Sequence, residues 1–163
     1  FRFVNDVMPQ TRVHTTLAKQ LALFVVLYSP LQMASDEIEN YEANPEPFNF
    51  IVSCPTDWSR TVVPEACIGS YVTIARCDKG EGYWYIGSIT GDEERTANIS
   101  LSFLDTDKRY LATIYRDAPE ADYETCPAAI LIEEREVTYS DTLTIRQARS
   151  GGTAVRLCPI KDS

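Results

Sequence analysis

The sequence predicts a mainly β protein: an antiparallel β-sandwich of about seven to eight strands, preceded by an N-terminal helical segment. Three observations carry this expectation. From Thr61 onward, apolar and polar residues alternate with a period of two, the signature of half-buried strands. Turn residues separate these runs at spacings typical of a sandwich. No helical crossover lies between them, so neighbouring strands run antiparallel.

The helical segment has its own period. Val13, Leu17, Leu21, Phe24 and Tyr28 follow steps of three and four and share one stripe. Thr11 is a good N-cap, and Pro30 cannot continue a helix, which places the helix at about residues 12–28. Leu23, Val26 and Leu27 fall on the opposite face. A helix that is apolar on both sides is buried on both sides. Leaving those three side chains in water forfeits about 5–9 kcal/mol, so the second face calls for a partner. A short turn is expected at residues 31–34, with Asp36 capping another through 37–41. Residues 42–47, with two prolines, read as a stiff linker, and 48–54 as a helical turn between the two regions.

The strands follow in order. Residues 60–63 form a first short run. Residues 71–76 and 83–89, joined by Asp78-Lys79-Gly80-Glu81-Gly82, read as a hairpin, with Ile74 and Ile86 both expected in the core. Residues 96–101, 110–115, 134–139 and 142–146 alternate cleanly. Ser150-Gly151-Gly152 then turns the chain into a last strand, 153–158, closed by Pro159.

Composition excludes several classes. Fifteen Lys+Arg against 24 Asp+Glu give a net charge of −9, which repels a phosphate backbone and an anionic membrane surface. Neither nucleic-acid binding nor membrane insertion is expected, since the longest apolar run, 21–28, falls far short of the roughly 20 residues of a span. Phe1 in first position reads as a mature product or a piece of something longer, and residues 1–9 carry no signal-peptide pattern. Cys54, Cys67, Cys77, Cys126 and Cys158 form no CxxC pair, and His14 is the single histidine. The cysteines read as small apolar fillers, with one bridge left possible.

Few residues invite a catalytic reading. Asp92-Glu93-Glu94 and Glu133, Glu134, Glu136 are acidic clusters at turns or on alternating strands, where a solvated face is the expectation. His14 lies near the apolar stripe and is expected to pack there and bond a carbonyl. Tyr83 and Tyr85 share one strand face while Trp84 points the other way, so at most part of the set forms a sugar-stacking platform. Trp58 sits in the connector and is free to pin the β domain to the segment before it. No catalytic, cofactor-binding or metal-ligating residue is assigned.

The run from Arg12-Val13-His14-Thr15-Thr16-Leu17 through Tyr28-Ser29-Pro30-Leu31-Gln32-Met33-Ala34 resembles the last barrel helix of glycoside hydrolase family 97. Glu39-Asn40-Tyr41-Glu42, Pro55-Thr56-Asp57-Trp58, Ile68-Gly69-Ser70-Tyr71, Tyr83-Trp84-Tyr85-Ile86-Gly87, Asp117-Ala118-Pro119-Glu120 and Gly151-Gly152 extend the likeness in order along nearly the whole chain. The resemblance implies a division at about residue 46. Residues 1–46 would be the end of a (β/α)8 catalytic barrel with its linker, and 47–163 a C-terminal β-sandwich associated with oligomerisation. It implies a non-catalytic accessory domain of an enzyme that cleaves α-glycosidic bonds, of the α-glucosidase or α-galactosidase kind. The paired carboxylates such an enzyme needs come from upstream segments, as do its calcium ligands, so the fragment is expected to be inactive alone and to hold no cofactor. Implied partners are the parent's catalytic barrel, its oligo- or polysaccharide substrate, and a second copy met through the N-terminal helix. The implied location is periplasmic or secreted. A carbohydrate-binding module, holding polysaccharide near the parent's active site, is the alternative.

Overall fold

The computed structural model describes residues 13–34 and 36–161. Eight strands form two antiparallel sheets, as the alternation predicts. They are β1 (Trp58–Cys67), β2 (Tyr71–Asp78), β3 (Trp84–Thr90), β4 (Arg95–Ser100), β5 (Tyr110–Asp117), β6 (Ile130–Val137), β7 (Thr142–Gln147) and β8 (Gly152–Pro159). Six make one sheet in the order β1-β2-β3-β8-β5-β6, and β4 pairs with β7 to cover part of one face. Among the described residues, three helices, α1 (Leu17–Val26), α2 (Ile38–Glu42) and α3 (Pro45–Ser53), precede the strands.

The large sheet therefore has a core on each side. Trp84, Ile86, Ile114, Val155 and Leu157 meet Ala97, Ile99, Leu143 and Ile145 of the small sheet. On the opposite face, Tyr85, Tyr115 and Ala154 meet Leu21, Ala22 and Val25 of α1 and Phe50 of α3. The β2–β3 hairpin forms as predicted, closed by the Asp78 carboxylate, which accepts from the amides of Gly82 at 2.8 Å and Tyr83 at 3.0 Å. Ile86 is fully buried, but Ile74 is only half-buried. Ile74 pairs with Gly87 and so shares the helix-bearing face, whereas Ile86 faces the small sheet.

The helix is shorter than its sequence period indicates. Val13–Thr16 is not helical, because the Thr16 amide donates to Ser150 O (3.2 Å) and the Leu17 amide to Pro127 O (2.8 Å). Thr16, not Thr11, is the cap: its hydroxyl accepts from the Lys19 amide. Thr11 and Arg12 lie outside the described residues. At the far end, Leu27 turns to extended angles and Tyr28 follows outside the helix.

The buried stripe also differs from the expected one. Leu17 and Leu21 are buried as predicted, but Ala18, Ala22 and Val25 complete the face. Phe24 is half-buried, and Val13 and Tyr28 are exposed. The cause lies in the sheet. A Cβ on Gly87 would come within 2.4 Å of the Ala22 carbonyl oxygen, and one on Gly152 within 2.8 Å of Lys19 Cα. Two glycines on adjacent strands let the helix backbone settle directly onto the sheet, and alanines fit where larger side chains would hold it off.

Arg76 of β2 fastens the end of α1. Its Nε donates to the Val25 carbonyl at 2.7 Å and its Nη2 to that of Val26 at 3.4 Å, while Nη1 donates to the Thr61 hydroxyl. The last carbonyls of a helix lack internal partners and carry the negative end of its dipole, so a cation there satisfies both needs.

Residues 42–47 are not a linker. Glu42 ends α2, and Pro45 and Pro47 occupy the first turn of α3, where a missing N–H costs nothing. Asp36 accepts from the Glu37 amide at 2.8 Å, one residue ahead of α2. Residues 31–34 form no hydrogen-bonded turn. Residues 48–54 are helical as expected and pack against the sheet: Phe50 sets its ring edge-on to Tyr85 and Tyr115.

Candidate functional site

Both acidic clusters are solvent-facing. Asp92, Glu93 and Glu94 are exposed, with Glu94 paired to Arg146, whose hydrogen bond holds that carboxyl below the usual range. Glu133, Glu134 and Glu136 are exposed on the edge strand β6 and meet Arg116 (3.1 Å), the Thr113 hydroxyl (3.0 Å) and Arg109 (2.8 Å) across the ladder with β5 or beside it. These are surface pairs, not a catalytic arrangement. Among the described residues no group of three or more His, Cys, Asp or Glu side chains gathers as a metal site.

His14 is exposed rather than packed in the stripe, because it precedes the helix. Its ring stands 6.3 Å from that of Tyr123, and its carbonyl accepts from the Ser150 hydroxyl. Trp84 and Tyr85 are buried on opposite faces of β3, as their alternation predicts. Trp84 lies against Phe103, and Tyr85 between Phe50 and Trp58. Trp58 is the first residue of β1 and sets its ring edge-on to Tyr85, whose hydroxyl donates to Ser53 O at 2.7 Å. Tyr83 is half-buried with the Arg156 guanidinium 5.3 Å from its ring. These rings are spent on packing, and their contacts are tilted or edge-on, so β3 presents no open sugar platform.

All five cysteines are free. Burial pushes the Cys54 thiol up to about 12, and raises Cys77 and Cys158 as well, so none of the three is a ready nucleophile. Cys67 departs from the filler reading, since it is exposed.

Sequence reasoning missed the buried charge that ties the helix to the strands. Asp117, at the end of β5, is buried beneath the β7–β8 turn and accepts from the amides of Ala148 (2.9 Å) and Gly152 (3.0 Å). Burial pushes its carboxyl up from the ordinary 3.8, against the Thr16 hydroxyl, those two amides and the Arg146 charge. Lys19 crosses the same junction, donating from Nζ to Thr90 O at 2.7 Å and to the Ser150 hydroxyl. Replacing Asp117 with alanine leaves two buried amides unpaired and is expected to cost about 3 kcal/mol in urea unfolding. With the folded pKa raised, the carboxyl's favourable contribution is complete below pH 3.8 and is lost as pH rises through the raised value. The stability of the native chain relative to D117N is therefore expected to fall as pH climbs through the acid range.

Two surfaces remain. The helical segment exposes Leu27, Tyr28, Leu31, Met33, Ile38 and Val52, with Leu27 at 59% and Met33 at 80%. Near the start of α1, the β1–β2 hairpin borders a groove of about 420 Å³ lined by Lys19, Ala66, Val72 and Ile89.

The fold is thus a β-sandwich that carries a helical layer on one face of its large sheet. The chain belongs to the family described as glycosyl-hydrolase 97 C-terminal, oligomerisation, whose model matches residues 57–158. It is 35% identical over 147 residues to a retaining alpha-galactosidase of Bacteroides thetaiotaomicron, a match covering 87% of this chain and 21% of that protein. Among solved structures it resembles a glycoside hydrolase family 97 enzyme from Pseudoalteromonas sp. strain K8 in complex with acarbose. There the identity is 45% and the TM-score 0.89, over 92% of this chain and 23% of that one. A beta-arabinopyranosidase shares the fold alone, at 22% identity and a TM-score of 0.72 over 90% of this chain and 22% of that one. The chain spans about a fifth of the length of the relatives it matches.

Proposed function

We propose that this chain serves as the non-catalytic accessory and oligomerisation domain of an enzyme that hydrolyses α-glycosidic bonds. Its helical layer docks on the catalytic barrel of the same polypeptide. The observation that carries this is the set of apolar side chains left in water on that layer, from Leu27 to Val52. The retaining alpha-galactosidase and the acarbose complex among its relatives support an α-glycoside substrate. In this reading α1 is the last barrel helix, seated on the sheet so that its outer face meets the rest of the barrel. The parent's calcium is held by upstream residues, and the enzyme works in the periplasm or outside the cell. These last assignments rest on the family resemblance.

The 163-residue chain is expected to show no turnover of aryl α-glucosides or α-galactosides, with or without calcium. Turnover abolished by substituting one of its own acidic residues would overturn the reading. Separated from a barrel, the helical layer is expected to self-associate, and Leu27→Lys with Leu31→Lys is expected to reduce the sedimenting mass while leaving far-UV circular dichroism unchanged. Both positions are exposed, so the substitutions act on association rather than folding. A chain that binds no apolar dye would remove the basis for a docking face.

A further inference from the structure

We propose that the groove between the start of α3 and the β5–β6 ladder binds a neutral oligosaccharide, whose hydroxyls meet the polar groups gathered around the Tyr115 hydroxyl. The proposal goes beyond the docking and oligomerisation reading and does not depend on it.

Tyr115 is 7% exposed, and the Phe50 ring stands edge-on to it at 5.2 Å between centroids. A tyrosine buried to that extent ordinarily finds a partner for its hydroxyl. Tyr85, on the same face of the sheet, finds Ser53 O. The Tyr115 hydroxyl bonds to none of the described residues, and the side chain instead lines a groove of about 960 Å³.

Three charged groups converge on that hydroxyl. Glu46 comes from the first turn of α3, Glu134 from β6, and Arg156 from β8, beside Thr113 of β5. Each acts electrostatically on the Tyr115 hydroxyl. Yet the cation pairs with neither acid. Arg156 keeps a buried Nε without a hydrogen-bond partner, and its guanidinium carbon lies 5.3 Å from the Tyr83 ring. Glu134 spends one carboxylate oxygen on the Thr113 hydroxyl and keeps the other.

A guanidinium and two carboxylates held apart around a hydroxyl call for a ligand that both donates and accepts. Sugar hydroxyls donate to carboxylates and accept from guanidinium, amide and phenol, and two adjacent ones match the fork of an arginine. Ile130, Ile132 and Pro47 supply aliphatic surface for the C–H faces of a pyranose ring. The volume lies at the top of the range usual for ligand pockets, about 300–1,000 Å³, which suits several rings rather than one.

Other occupants fit this chemistry less well. Glu46, Glu133 and Glu134 on the walls repel phosphate and other anions. A flat apolar surface would bury Glu46, Asn49 and the Tyr115 hydroxyl without partners. A peptide added as a strand would take the free edge of β6, not this face.

Nuclear magnetic resonance titration of the 15N-labelled 163-residue chain with maltohexaose, and separately with stachyose, tests the site. At least one of these α-linked sugars is expected to shift the Thr113, Tyr115 and Ile132 amides and the Asn49 side-chain amide, saturating at millimolar concentration. Tyr115→Phe is expected to weaken binding about tenfold, the worth of one good hydrogen bond, without lowering the urea midpoint, because the hydroxyl it removes has no partner in the folded chain. Arg156→Lys keeps the charge, loses the fork, and is expected to weaken binding by a similar factor. Shifts absent with both sugars, or left unchanged by either substitution, would overturn the site. So would a lysine-rich peptide that saturates the same residues more tightly than either sugar, since the groove would then be an acidic docking surface. A lowered urea midpoint for Tyr115→Phe would show the hydroxyl already engaged in the fold and would remove the premise.

Discussion

A chain shortened to begin at Pro55 is expected to lose cooperative unfolding, even though it retains every strand and all of the residues that match the family model. The removed segment carries Leu17, Leu21, Val25 and Phe50, all buried against the sheet. At about 1.5–3 kcal/mol each, their burial is worth about 6–12 kcal/mol, comparable to the entire stability of an ordinary domain. Tyr85, Tyr115 and Ala154 would then face water on the wide, uncovered side of the large sheet. The expected product aggregates, binds apolar dye and melts without a sharp transition in calorimetry. The native chain is expected to melt in one. A shortened chain with a sharp, reversible transition would show that the helical layer is a passenger.

Replacing Gly87 with valine has the second large effect. Its Cβ alone would press on the Ala22 carbonyl oxygen at 2.4 Å and on Val25 Cβ and Val26 Cγ2 at 3.0 Å. Backbone cannot give way as a side-chain tip can, so α1 must lift, and with it go the buried contacts of Leu21 and Val25 and the Arg76 hydrogen bonds. A loss of about 3 kcal/mol is expected, with weakened near-ultraviolet circular dichroism from Tyr85 and Trp58. Gly80→Ala is the control. Its Cβ meets only the Asp78 carboxylate at 3.7 Å, and the urea midpoint is expected to stay in place.

These two effects mark where sequence reading stops. Alternation located all eight strands to within a few residues, most cleanly β4 and β7, which have one core face and one outer face, and less so β3 and β8, which are buried on both. It also placed Trp84 and Tyr85 on opposite sides. The helix was misjudged at both ends and on its stripe for one reason: its boundaries and its buried face are set by partners distant in sequence. Ser150, Pro127 and Arg76 decide where α1 begins and ends, and Gly87 and Gly152 decide that Ala18 and Ala22 face inward. No pattern within residues 12–28 contains that information. Ile74 and Ile86 were both expected in the core, but they lie on opposite faces of the sheet, and on the helix-bearing face Ile74 is only half-buried. Of the candidate surfaces, the exposed Leu27 was legible as part of a second apolar face.

The strand order has a consequence for how the protein is made. β3 and β5 do not pair with each other; the strand between them is β8, the last of the eight in sequence. While a ribosome is still adding residues 91–151, the β1-β2-β3 meander and the β5–β6 hairpin can exist only as separate pieces, each with an open edge. α1 waits as well, since Gly152 and Ala154 form half of its seat. Such long-range closure is slow and leaves apolar strand edges open to other chains in the interval. The nascent chain is thus most exposed to misassembly just before β8 emerges, and a premature stop in that last strand removes the seam that joins the two halves of the sheet.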